Sequence, residues 1–239
     1  MFFDNYPEFI VYDPRKNREH VKLTSESLSN RCDVILPDYL VKDRSILDFG
    51  SALGAMGHYA LLNGAKHYTG IEIQKPYIEK SKELLSKYHT NWDIKETFDD
   101  KTYDIVLACG SIHGFFDIFG ILRKLCSLSN QYVILETHNP NTDKQPMISF
   151  QEGRMVKNDG EEYKNYNGLE TLPNKVAIDL IMLSNGFRED RRLFPKPILG
   201  SHDAYNVTGS SSRFISRYIK GEKLKTLEDE IWYGSLTNP

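Results

Sequence analysis

Cysteine is scarce in this 239-residue chain. Cys32, Cys109 and Cys126 form no CxxC pair and no Cys/His cluster, which excludes a disulfide framework and leaves no zinc signature. Cys109 and Cys126 stand in or beside apolar runs and read as small core residues. Positive charge is not in excess either. Against 30 Lys and Arg stand 33 Asp and Glu, a net charge of −3, so no global field draws the chain to nucleic acid. No apolar run approaches the ~20 residues of a membrane span. The opening MFFDNYPEF lacks the basic-then-apolar order of a signal peptide. Internal repeats and low-complexity segments are missing too. These absences predict a reduced, cytoplasmic protein with no membrane partner and no bound metal.

What the chain does have is an alternation of short apolar runs and amphipathic segments, with 40% hydrophobic residues and a length suited to one large domain. SILDF (45–49) is an apolar strand, and GAMGHYALLNG (54–64) a helix closed by Gly64. HYTGIEI (67–73) is rich in β-branched and aromatic residues and reads as a strand. KPYIEKSKELLSKY (75–88) has Pro76 in its first turn and gathers residues 77, 78, 81, 84, 85 and 88 on one helical face. NWDIKETF (91–98), YDIVLACG (103–110) and QYVILET (131–137) are further strands, with a helix through FDIFGILRKLCSL (116–128). NKVAIDLIMLSNG (174–186) is a helix preceded by Pro173 and stopped at Gly186. FREDRRLF (187–194) and RFISRYI (213–219) are late strands joined by a Gly/Ser-rich loop. Such alternation implies an α/β domain with a mainly parallel sheet and helices on both faces.

The expected organisation has three parts. Residues 1–44 form a helical segment covering the site, with TSESLSNRCDVILPDYL (24–40) as one helix capped by Thr24 or Ser25. Residues 45–220 are the ligand-binding domain, with a polar, aromatic, substrate-covering insertion at about 138–172. The tail, 221–239, spaces Leu224, Leu227, Ile231 and Trp232 at helical intervals and reads as a helix docked on its own domain.

ILDFGSALGAMG (46–57) carries the chemistry. It sits at the carboxyl end of the first strand, where open α/β sheets bind ligands. A phosphate-binding P-loop requires G-x-x-x-x-G-K-[ST], and no lysine stands at that position. A dinucleotide site requires G-x-G-x-x-G, and Ala52 occupies the second glycine position. Asp48, two residues before Gly50, repels a pyrophosphate and suits a cation. S-adenosylmethionine carries an ammonium and a sulfonium and no phosphate. Asp48-Phe49-Gly50-Ser51-Ala52-Leu53-Gly54 resembles the first motif of the class I S-adenosylmethionine-dependent methyltransferase superfamily, with Ala52 in place of the middle glycine. Alanine is tolerated there provided the backbone is not left-handed.

That resemblance implies a Rossmann-like seven-stranded sheet with an antiparallel last strand, and S-adenosylmethionine as cofactor. It gives Glu72, in GIEIQ, the role of accepting from the ribose hydroxyls, with Ile73 beside it. It assigns the adenine contact to the end of the third strand, around Glu96, Thr97 and Phe98. YDIVLACGSIHGFFD (103–117) resembles the superfamily's fourth motif, with Asp104 ahead of the strand. Residues Ala108 to His113, including Cys109 and Gly110, would flank the methionine part and the acceptor. Three segments together (YDIVLACGSIHGFFD, YVILETHNP and GLETLPNKVAIDLIMLSNGFRE) are similar to the methyltransferase domain of the tRNA wobble-uridine carboxymethyltransferase family.

For the acceptor side, His113, His138 and Glu136 are the candidate catalytic residues, because each stands at or beyond a strand end. A loop histidine bonded to backbone is the competing reading of both histidines. His58 reads as a helix residue beside the cofactor loop. Tyr163 and Tyr166 are candidates for covering the acceptor, and Arg15, Arg18 and Arg31 for meeting an acidic one. Three functions remain in competition. The first is methyl transfer to an O or N atom of a small or medium-sized molecule. The second is methylation or carboxymethylation of a tRNA nucleoside, for which RKNREHVK and RRLFPKP offer basic clusters. The third is a non-catalytic S-adenosylmethionine-binding module.

Overall fold

The computed structural model describes residues 1–10, 24–112, 115, 117–138, 145–152, 156–158, 161–163, 169–190 and 213–221. Two single turns of 3₁₀-helix, Phe2–Asp4 and Pro7–Phe9, precede α1 (Ser25–Ile35) and the short α2 (Asp38–Val41). The one helix expected over 24–40 is therefore two. Leu36 leaves the helical region (φ −128°, ψ 57°) immediately before Pro37, whose ring disfavours helical geometry in the residue ahead of it. Thr24 caps α1 as expected, its Oγ1 accepting from Ser27 N at 3.0 Å.

The alternating part follows: β1 (Ser45–Phe49), α3 (Ala55–Leu62), β2 (His67–Ile71), α4 (Lys75–Ser86), β3 (Trp92–Lys95), β4 (Tyr103–Cys109), α5 (Ile118–Leu128) and β5 (Ser129–His138). Four short strands come next, β6 (Ile148–Glu152), β7 (Val156–Asn158), β8 (Glu161–Tyr163) and β9 (Leu169–Pro173). The chain closes with α6 (Lys175–Ser184), β10 (Phe187–Glu189) and β11 (Arg213–Lys220). The seven-stranded sheet runs β10-β11-β5-β4-β1-β2-β3. The pairs among β3, β2, β1, β4 and β5 are parallel, and β11 runs antiparallel to both β5 and β10. The fold class read from the sequence is the one found. Where a loop-like insertion was expected, β6 pairs with β9 and β7 with β8, both antiparallel.

Strand alternation divides the core. Ile46, Tyr68, Ile105, Leu107 and Ile134 pack on one face against α1, α3 and α4. Leu47, Val106, Val133 and Leu135 pack on the other against α5 and α6. Burial on both faces explains why these strands read as unbroken apolar runs. Asp48 continues the series of Ile46 and faces the α1 side. Among the described residues, no helix is long and apolar enough to cross a membrane. Arg15, Arg18, His113, Tyr166 and the tail from 222 onward lie outside the described residues, and His138 and Tyr163 are described as strand backbone alone.

Candidate functional site

At the carboxyl end of β1 the chain turns through three left-handed residues at alternate positions: Gly50 (φ 80°), Ala52 (φ 47°) and Gly54 (φ 76°). The condition under which alanine was expected to be harmless is not met. Ala52 takes the left-handed conformation, which costs an L-residue ~1–2 kcal/mol. The loop's geometry explains why that conformation persists. Gly50 N and Ser51 N both donate to Ile71 O, at 2.9 and 3.0 Å. Ala52 N then points at Glu72 and donates to its Oε2 at 2.9 Å. The same carboxylate accepts from Ile73 N and Gln74 N through Oε1, at 2.8 and 2.9 Å. Glu72 thus clasps the glycine loop to the tip of β2 with three backbone bonds, and it is buried.

Asp48 lies one strand away and 3% exposed. Tyr68 Oη donates to its Oδ2 at 2.9 Å. Burial pushes the Asp48 carboxyl up to about 6, against the pull of the Tyr68 bond and the Arg31 charge. Tyr68 reaches this position because residue 57 is glycine: a Cβ there would stand 2.4 Å from the tyrosine ring. Burial thus outweighs the stabilisation that Tyr68 and Arg31 give the Asp48 carboxylate.

A third acid completes the row. Glu136, on β5 opposite Cys109 of β4, is fully buried. Arg31 of α1 donates to it through Nε at 2.5 Å and through Nη2 to Cys109 O at 3.3 Å. Gly110 N donates to Glu136 O at 2.8 Å, and Ser111 Oγ to Phe49 O at 2.7 Å, which fixes the β4 loop beside the glycine loop. Burial raises the Cys109 thiol well above its ordinary value, so it is no thiolate nucleophile.

The remaining candidates divide. Ile73 is 62% exposed beside Glu72 and presents an apolar side chain at the site's mouth. Thr97 and Glu96 are exposed. Phe98 turns inward and stacks on Phe49, with centroids 5.2 Å apart and planes 18° apart. His58 is not at the site. It is fully buried beneath the N-terminal turns, stacked on Phe9 at 4.3 Å, with Nδ1 2.8 Å from His89 Nε2. Burial, helped by His89, pulls it down to about 4. The insertion is pinned at its base. Thr171 Oγ1 donates to Phe115 O at 2.5 Å. Buried Asn174 accepts from Met147 N and Ala177 N and donates to Gln145 O. The Arg31–Glu136 pair, the Tyr68 hydroxyl and the Asn174 anchor had no signature in the sequence. Asn174 alone sat at a recognisable position, the cap of α6.

No family model matches the chain. One curated relative, protein arginine N-methyltransferase 1 of Saccharomyces cerevisiae, is 31% identical over 84 residues. Those residues are 35% of this chain and 22% of the yeast protein, so the match spans less than a quarter of that relative. Among solved structures, magnesium protoporphyrin IX methyltransferase from Synechocystis PCC 6803 with bound S-adenosylmethionine superposes with a TM-score of 0.59 at 13% identity, covering 92% of each chain. An S-adenosylmethionine-dependent methyltransferase from Mesorhizobium loti superposes at 0.56 and 13% identity, over 81% of this chain and 98% of the other. The 1,6-didemethyltoxoflavin-N1-methyltransferase of Burkholderia thailandensis, with its substrate and S-adenosylhomocysteine bound, superposes at 0.56 and 14% identity, over 82% of this chain and 80% of the other. Strand order, glycine loop and superpositions agree: this chain has the class I S-adenosylmethionine-dependent methyltransferase fold.

Proposed function

We propose that this chain is an S-adenosylmethionine-dependent methyltransferase acting on an O or N atom of a small or medium-sized molecule. The observation that carries the reading is the pair of buried acids at adjacent strand tips. Asp48 lacks full charge compensation and meets the cationic end of the ligand. Glu72, oriented by three backbone bonds, turns its remaining acceptor capacity to the ribose hydroxyls. Ile73 offers an apolar surface to the adenine. When bound, S-adenosylmethionine supplies a methyl group on a sulfonium. The chain's own contribution is to orient acceptor and donor and to exclude water, and orientation alone is worth up to ~7–11 kcal/mol. A general base is needed only where the acceptor loses a proton near the transition state. The net charge of −3 and the small ligands of the structural neighbours favour a small acceptor over tRNA.

Calorimetry tests the donor site. S-adenosylhomocysteine should bind the wild type, NAD should not, and Glu72→Gln should weaken binding at least ten-fold. Unchanged affinity in that variant removes Glu72 from the site. Transfer of labelled methyl into a small-molecule extract, with none into tRNA, supports the acceptor class. Labelling of tRNA, or use of carboxy-S-adenosylmethionine alone, moves the assignment to the wobble-uridine reading.

A further inference from the structure

Arg31 is the one described cation whose charge bears on both Asp48 and Glu136, and it comes from outside the alternating β/α core. Asp48, Cys109 and Glu136 lie on neighbouring strands. In register, Asp48 pairs with Leu107, and Cys109, two residues on, pairs with Glu136. All three side chains face the side of the sheet that α1 covers through Leu28, Cys32 and Ile35. Arg31 enters this row from the α1 side, its Nε and Nη2 both on the Glu136 carboxylate and Nη2 also on the Cys109 carbonyl. It is thereby anchored over β4 and β5, two residues beyond the level of Asp48 and beside the start of the glycine loop.

We propose that Arg31 is a positioning residue that acts through Asp48: anchored by Glu136, its guanidinium supplies the field in which the buried Asp48 carboxylate stays charged for the cationic end of the donor. The docking of α1 and the readiness of the donor site are then one event. The idea rests on the methyltransferase reading above. The titratable groups around Asp48 are few. Tyr68 from β2 donates to it, Glu72 from the β2 tip repels it, and Cys32 of α1 and Cys109 of β4 are thiols held neutral by burial. Of these groups and Arg31, only Arg31 brings a full positive charge. Glu136 stands on β5, two strands from Asp48 of β1 with β4 between them, whereas Arg31 reaches back over the Cys109 carbonyl of β4. Glu136 is therefore the anchor and the more distant of the two charges. Removing Arg31 and removing the Glu136 charge should accordingly have different effects on Asp48, whereas a merely structural ion pair predicts the same effect from both.

The experiment follows Asp48 directly by ¹³C NMR of its carboxyl carbon, with no ligand, in the wild type, Arg31→Met and Glu136→Gln. In parallel it measures the affinity for S-adenosylhomocysteine from pH 5 to 7, where the ligand's ammonium stays protonated. Arg31→Met should move the Asp48 midpoint upward by ~1 pH unit, the lower end of what a nearby opposite charge supplies. The loss of affinity on acidification should move with it, ~ten-fold at a pH one unit below the midpoint. Glu136→Gln should leave the midpoint where it is or lower it, and Arg31→Lys should restore part of the wild-type profile. If Arg31→Met does not fold because Glu136 is stranded, the double variant R31M/E136L removes the pair together and carries the same expectation. An Asp48 midpoint unchanged by loss of Arg31, or parallel affinity curves for Arg31→Met and Glu136→Gln, overturns the proposal. Absence of binding by the wild type at every pH, with Asp48 still responding to Arg31, overturns the donor reading and leaves the charge coupling standing.

Discussion

Replacing Asp48 by asparagine should make the unliganded protein more stable while it loses the ligand. The Asp48 carboxyl titrates at about 6 in the fold, against 3.8 when free. Each pH unit of difference is 1.36 kcal/mol, so ionising this buried group at neutral pH costs the fold ~3 kcal/mol. Because the folded value is the higher one, the fold holds the proton longer than the unfolded chain does. Below 3.8 both states are protonated and the penalty vanishes. It grows as pH rises through the interval and is complete once pH passes about 6. Asparagine keeps an acceptor for the Tyr68 hydroxyl and carries no charge.

Thermal unfolding of Asp48→Asn and wild type, each from pH 4 to 8 without ligand, reads this out. At ~2–4 °C per kcal/mol for a chain of this length, the variant should melt roughly 6–12 °C higher at pH 7. The advantage should shrink steadily toward pH 4. S-adenosylhomocysteine at 100-fold its wild-type dissociation constant should narrow this gap, because it adds ~2.7 kcal/mol to the wild type and at most ~1.4 kcal/mol to a variant that binds at least ten-fold more weakly. A variant less stable than wild type at pH 7, or a difference independent of pH, would mean that the Asp48 charge is already compensated within the protein. Asp48 would then have no need of a ligand's positive charge.

Three further outcomes follow from the geometry. Ala52→Gly removes a left-handed strain of ~1–2 kcal/mol and adds a smaller cost in chain entropy, so it should raise the melting temperature by a few degrees and keep the ligand affinity within two-fold; a lower melting temperature refutes the left-handed assignment. Gly57→Ala forces a Cβ to 2.4 Å from the Tyr68 ring and should cost ~1–3 kcal/mol in chemical denaturation together with a loss of affinity, because displacing Tyr68 disturbs Asp48; an unchanged midpoint would show that α3 and β2 are not in that contact. Asn174→Ala removes the cap of α6 and the tie to Gln145 and Met147, so amide exchange should accelerate at residues 145–148 with ~2 kcal/mol lost, and slow exchange there would disprove the anchor.

The parts of this molecule that were legible in the sequence are those that local chemistry decides. SILDF, HYTGI and YDIVLAC are buried on both faces, so each appears as an apolar run closed by glycine or polar residues, and the parallel sheet follows. The same locality made Asp48 and Glu72 readable, since each is the last acid on its strand before a turn. What was not legible depends on contacts between distant residues. Arg31 and Glu136 are 105 positions apart, and nothing near either one signals the other. Glu136 alone looked like a base at a strand end, whereas in the fold it is the buried anchor of an arginine. β6 and β9 meet across a 16-residue gap, and neither carries the clean alternation that would mark it as a strand alone. The left-handed backbone of Ala52 was not legible for a related reason. Its dihedral follows from Glu72, a carboxylate 20 residues away that draws the Ala52 amide toward it, and not from the alanine side chain. Local sequence therefore identified which acids end the strands, and long-range pairing decided which of them clasps the glycine loop and which holds an arginine.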